Sequence, residues 1–365
     1  MPNLTETNSF TAGITRIEAN DIALGGNEIN APNLQLKQIT DRTRWLKGQV
    51  DALLAGLDGL TIGQEVQAWD ADLDAIAALS GTGILRRTGT NAWGLVSPWL
   101  DLGICQGRLT LTTGVAITTS DVTAATILYF TPYTGNLIAI YTGSEWQLRT
   151  FAERSLSLSG LTASTNYDIF LYDNAGTLTL EATAWTNGIT RATALALQDG
   201  VWVRSGAATR RYLGTIRTTS TLGQCEDSQL RRFVWNFYNR KPRKFYKAIG
   251  DFTSNFNSAF RSFGNDTTNR FEVVCGVAGE AMARLLAAST VVNDGNINWG
   301  INTTSGSGDA DSFGNGDDTT NSRETVLSSL AHLPVAGYTW YQALEISSPT
   351  TSSYLLNRLS GTWES

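Results

Sequence analysis

A single histidine, His332, and three cysteines in 365 residues remove most of the usual equipment for catalysis and metal binding. Cys105, Cys225 and Cys275 are odd in number and far apart, which fits neither a disulfide framework nor a zinc-ligand spacing. They read as buried free thiols, suited to assembly in a reducing cytoplasm. His332 stands in SLAHLPVAG among apolar neighbours, the setting of a packed side chain rather than of a catalytic base. No Ser-His-Asp arrangement, nucleophile elbow or phosphate-cradling glycine loop occurs, so the sequence nominates no catalytic residue and no cofactor. Charge is scarce as well: 16% of residues, against the usual quarter. The formal charge of -6 gives no general attraction to nucleic acid. No apolar run approaches 18 residues, so membrane insertion is not expected, and MPNLTETNSFTAG lacks the basic and apolar regions of a signal peptide.

In place of charge the chain carries Thr, Ser, Asn and 35 Gly, against only 7 Pro, a mixture that suits strands with tight turns. Eleven Trp, eleven Tyr and thirteen Phe supply large cores or stacking surfaces for sugars and argue against disorder.

One stretch has a different texture. In LQLKQITDRTRWLKGQVDALLAGL, Leu36, Ile39, Thr43, Leu46, Val50, Leu53 and Leu57 recur at alternating intervals of three and four. That heptad spacing predicts a helix over 34–58, roughly 36 Å long at 1.5 Å per residue, with one apolar seam to bury against copies of itself. Asn33 after Pro32 suits its start and Gly59 its end. The mixture of seam residues does not choose between dimer and trimer. Arg42 would face Lys47 of a parallel neighbour, and Leu54 widens the stripe. A second amphipathic helix is expected over Trp69–Ser80. Its aspartates, Asp70, Asp72 and Asp74, belong to a helix start rather than to a metal loop. A turn and a small β-element follow, broken at Pro98.

From 99 to about 240 the chain reads as β throughout. Short runs at Leu109–Leu111, Ile127–Phe130, Leu137–Tyr141, Trp146–Phe151, Tyr167–Tyr172, Leu178–Ala182, Val201–Val203 and Arg211–Ile216 are separated by turn residues. The stretch 229–247, QLRRFVWNFYNRKPRKFYK, gathers seven cations and no acid around a set of aromatics. It suits either an anionic polymer, a sugar or, least of the three given the net negative charge, nucleic acid, or else a closing strand that enters a hinge at Lys241-Pro242 with its bases paired to nearby acids. The remaining residues, 241–365, read as a second β-domain, with strands at Phe271–Val277, Met282–Leu286, Ile297–Ile301, Thr339–Ile346 and Ser353–Leu359. A Gly-Asp loop from Ser305 to Ser322 offers Asp309 and Asp311 as weak calcium candidates, although Phe313 and Thr320 stand where oxygen donors belong. Arg240, Arg243, Trp340 and Tyr354 are the candidate ligand contacts.

The run from Ile17-Glu18 through Asp21, Gly25-Gly26, Asn30, Pro32 and Leu34 to Arg42-Thr43 and Leu46-Lys47 resembles the N-terminal segment of phage and prophage tail fibres, with Ile22 where proline is usual. The run Gln67 to Gly83, with Arg87-Thr88-Gly89 and Trp93, resembles a module of fibre shafts. The section from Tyr129 to Arg240 is similar to a phage appendage domain. The resemblance covers about two-thirds of the chain and implies a homotrimeric virion component. Its N-terminal segment would join other tail, neck, baseplate or capsid proteins, and its outer end would meet host-surface glycan. A decoration or joining protein without a receptor, and a tailspike that cleaves polysaccharide, are the alternatives. The expected fold is mainly β. A virion-attachment segment (1–33), a coiled-coil-like helical stalk (34–58) and a linker module (59–98) lead to two β-sandwich-like domains, 99–240 and 241–365. Leu36, Ile39, Leu46, Val50, Leu53 and Leu57 would hold the oligomer.

Overall fold

The computed structural model describes residues 31–58, 71–80, 83–96, 103–256, 259–293, 295–305, 323–347 and 351–365. It divides into two compact units, Met1–Pro98 and Trp99–Ser365.

In the first unit the long helix runs Ala31–Asp58. It starts before Pro32, which a first turn tolerates because its N–H has no partner to lose, so Asn33 lies inside the helix rather than at its cap. Lys37 pairs with Asp41 at 3.0 Å and Lys47 with Asp51 at 2.7 Å, each four residues apart along the helix. The second helix is the shorter Ala71–Ala77, with Asp72 and Asp74 in its first turn; Trp69 and Asp70 lie outside the described residues. The β-element beyond it is an antiparallel hairpin, Ile84–Gly89 with Ala92–Val96, turned at Asn91 in the left-handed region (φ 53°).

The second unit is β-built around two cores. For the first, Gly107–Thr110, Ile127–Pro132 and Arg154–Ser157 form one antiparallel sheet, and Leu137–Tyr141 pairs with Trp146–Thr150. A larger sheet runs in the order Thr177–Ala184, Asn166–Asn174, Ala207–Arg217, Val201–Arg204, Leu195–Gln198. These elements enclose Leu109, Phe130, Ile138, Ile169, Leu213 and Ile216. Gly214 sits where the pairing of 207–217 with 166–174 slips, and a side chain there would strike the Trp235 carbonyl.

Around the second core, one sheet orders Pro242–Ile249, Ser352–Glu364, Ala283–Val292 and Arg323–His332. Strict alternation of buried and outward positions along Ala283–Val292 gives it a single apolar face. That face meets a second sheet, containing Arg270–Cys275, Gly337–Ser347 and Gly295–Ile301, across Phe245, Phe271, Trp299, Tyr341 and Trp363. Phe245 stacks on Phe271 at 4.6 Å between ring centroids.

The division drawn from the sequence at 240/241 does not separate two compact bodies. Arg231–Arg232 pairs in parallel with Glu272–Val273, so one sheet crosses it. Phe170, Tyr212 and Trp235 pack into the second core, and Arg191 ties Asp168 (2.6 Å) to the Gly276 carbonyl. Lys241-Pro242 is no hinge either. Pro242 opens an edge strand, where its missing N–H costs no ladder bond. The basic run of 229–247 divides between short strands: Arg231, Arg232, Arg240 and Arg243 pair with neighbouring acids, Lys241 and Lys244 lie over tyrosine rings, and Lys247 donates to Thr268.

Candidate functional site

The seam residues of the long helix are all outward. Leu36, Ile39, Leu46, Val50, Leu53 and Leu57 are each about half exposed or more, Leu53 most at 67%, and Leu54 joins them. This row is the largest run of exposed aliphatic side chains on one described element.

Of the four nominated contact residues, two are interior. Tyr354 is fully buried, stacked on Phe252 at 4.8 Å, with its hydroxyl on the Ile346 carbonyl at 2.9 Å. Arg243 is also buried and donates to Asp227 (3.1 Å) and to the Thr118 hydroxyl (2.7 Å). Both leave the surface because alternation in their strands turns them inward. Arg240 bonds Glu280 at 2.8 Å and lies over Trp235 and Phe237. Trp340 is half-buried, with the Arg270 guanidinium 5.1 Å from its ring centroid. Asp309 and Asp311 lie outside the described residues. His332 ends the strand Arg323–His332 with its Nδ1 3.0 Å from the Tyr341 hydroxyl.

Arg270, whose guanidinium lies against the Trp340 ring, lines a polar cleft that no local sequence pattern marks. The cleft holds about 250 Å³ and is lined by Arg217, Arg231, Arg270, Glu272 and Tyr338, with the hydroxyls of Ser164, Thr219 and Ser220 among its walls. Strand pairing assembles it. Arg231 is the parallel neighbour of Glu272, and Glu272 faces Trp340 across the antiparallel pair, so these side chains share one face of the sheet.

At its centre Glu272 accepts from Arg231 Nε and Arg270 Nε, each at 3.1 Å on the same oxygen, and from the Tyr338 hydroxyl on the other. Arg231 also bonds Glu226 at 3.1 Å. Arg217 lies over the Tyr338 ring at 3.9 Å and donates to Asn166 at 2.8 Å. Burial alone would raise the Glu272 carboxyl pKa. The Tyr338 hydrogen bond and the two guanidinium charges outweigh it and hold the group below its ordinary value. Burial and the Glu272 charge push Tyr338 the other way, well above a free phenol. Burial lowers Arg217, offset in part by Tyr338 and Glu272. Glu272 is therefore held as an anion, with the Tyr338 hydroxyl as the donor that caps it.

No local motif links these residues, which span 217 to 338. The one sequence signal is the alternation of Arg270 and Glu272 with Phe271 and Val273, which puts two charges on the same strand face. Among the described residues no group of three or more His, Cys, Asp or Glu side chains is placed to hold a metal ion. None of the described helices is long and apolar enough to cross a membrane.

No protein-family model and no curated protein matches the chain. Among solved structures it is similar to the insecticidal delta-endotoxin Cry8Ea1 of Bacillus thuringiensis, at 7% identity, with 70% of this chain and 51% of the toxin covered and a TM-score of 0.22. An exo-β-1,3-galactanase from Phanerochaete chrysosporium with galactose follows at 9% identity, covering 70% of this chain and 56% of its own, with a TM-score of 0.15. BuGH86 in complex with neoagarooctaose gives 10% identity, 76% and 40% coverage, and a TM-score of 0.15. The chain spans about half the length of the toxin. TM-scores this low carry no argument about function.

Proposed function

We propose that this chain is a self-associating structural appendage, of the phage tail-fibre kind, in which the long helix joins three copies and the β-unit is what they display. The observation that carries this reading is the half-exposed heptad row from Leu36 to Leu57. A soluble helix normally lays such a row against its own domain or against copies of itself, since burial is worth roughly 25 cal/mol per Å² of apolar surface. The seam spacing favours copies of itself, and the resemblance of the sequence around the helix to fibre N-terminal segments supports three of them within a virion. Three heptads are short for an independent coil, so the helix works as a junction that keeps chains in register with help from neighbouring elements. Host-surface glycan is the surface such an appendage would meet.

The test is the native mass of the full chain by light scattering or sedimentation equilibrium. Three times the 39.5 kDa chain mass is expected. A monomer at micromolar concentration would remove the proposal.

A further inference from the structure

We infer that the cleft around Glu272 and Tyr338 binds the carboxylate of an acidic sugar. Three guanidiniums meet there. Arg231 and Arg270 share one oxygen of Glu272, and Arg217 stacks on the tyrosine that caps the other. Among the described residues two acids, Glu226 and Glu272, pair with Arg231 and Arg270, and Arg217 makes no ion pair.

The donors are unmatched as well. A guanidinium carries five N–H groups. Arg217 spends Nη1 on Asn166, Arg231 spends Nε and Nη1 on the two glutamates, and Arg270 spends Nε on Glu272. The other nitrogens, Nε and Nη2 of Arg217, Nη2 of Arg231 and both Nη of Arg270, make no hydrogen bond among the described residues, although all three side chains line the cleft. Planar donor forks that lack acceptors suit a planar carboxylate.

The remaining walls favour a sugar over a bare anion. Ser164, Thr219 and Ser220 stand among the lining residues, and the Trp340 ring centroid lies 5.1 Å from the Arg270 guanidinium. A volume of about 250 Å³ is small for a drug-sized ligand. Glu272 fixes two of the arginines, so they bind without first being ordered, which lowers the entropic cost of binding.

This inference rests on the reading of the chain as an adhesive appendage, where a weak site per copy gains strength from several copies engaging together. Ligand-observed NMR on the full chain tests it, with galacturonate as the acid, galactose as its neutral counterpart and sodium sulfate as the bare anion. Saturable galacturonate binding is expected, on the order of 1 mM per site, with galactose and sulfate at least about tenfold weaker. Arg270→Gln should weaken galacturonate at least about tenfold. Ser220→Trp, on an exposed wall residue, should block the cleft while leaving every arginine in place. Absence of galacturonate binding, equal binding of galactose or sulfate, or wild-type affinity in either variant overturns the inference. A monomer that still binds galacturonate would retire the appendage and keep the site. A trimer that does not bind it would do the reverse.

Discussion

At the scale of single residues, the polar interior does the positioning. Glu272 shows the logic: its folded pKa is depressed, so it stabilises the protein above the unfolded value near 4.3, and that contribution is lost as pH falls through the folded one. Glu272→Gln should cost about 2 kcal/mol at pH 7, because Arg231 and Arg270 lose the negative charge they share and an amide cannot accept at both oxygens. The gap between wild type and variant should close below about pH 4, which urea midpoints measured across pH will report. The three cysteines behave as thiols out of reach. Burial pushes Cys105 and Cys275 up to about 11, and Cys225 higher still, so a water-soluble disulfide reagent should label them only when urea unfolds the chain. Gly276 is the tightest backbone position beside this network: a methyl there would overlap the Tyr212 hydroxyl. Gly276→Ala should therefore lower stability by about 3 kcal/mol, read as a drop in melting temperature.

At the scale of elements, local pattern and observed structure agree where one face is buried. The strand expected at Leu137–Tyr141 is found with those bounds, and Tyr167–Tyr172 lies inside Asn166–Asn174. The heptad run is a helix, Ala31–Asp58. Strands that escaped notice are polar or interrupted. Arg323–His332 reads RETVLSSLAH, and its buried Ser328 with outward Ser329 and Ala331 break the β-branched texture. Pro242–Ile249 begins with the proline that looked like a hinge. The cleft escaped for another reason. Its arginines belong to three elements, two of them joined by a parallel pairing of 231–232 with 272–273 and the third in another sheet, and strand order is not written in any local spacing. At this scale the helix seam is the testable part. Leu46→Glu with Leu53→Glu should reduce the native mass to that of one chain while leaving the β-unit's melting transition within about 2 °C. An intact oligomer would assign assembly to the β-unit instead.

At the scale of the whole molecule, the β-unit from Trp99 to Ser365 is one compact unit with two cores. The strand Ser352–Glu364 lies in the middle of its sheet, paired on one side with Pro242–Ile249 and on the other with Ala283–Val292. It is also the last described strand in chain order. A ribosome making this protein therefore releases two strands with open edges well before the strand that joins them exists. Until it arrives, those edges lack their native partner and are open to pairing with other chains, a hazard that grows with the density of ribosomes on one message. Stopping synthesis before Ser352 should yield insoluble protein rather than a shorter folded form, which fractionation of the expressed chain will show. Slow folding with a late closing step, and a need for protection during synthesis, follow from the position of a single strand.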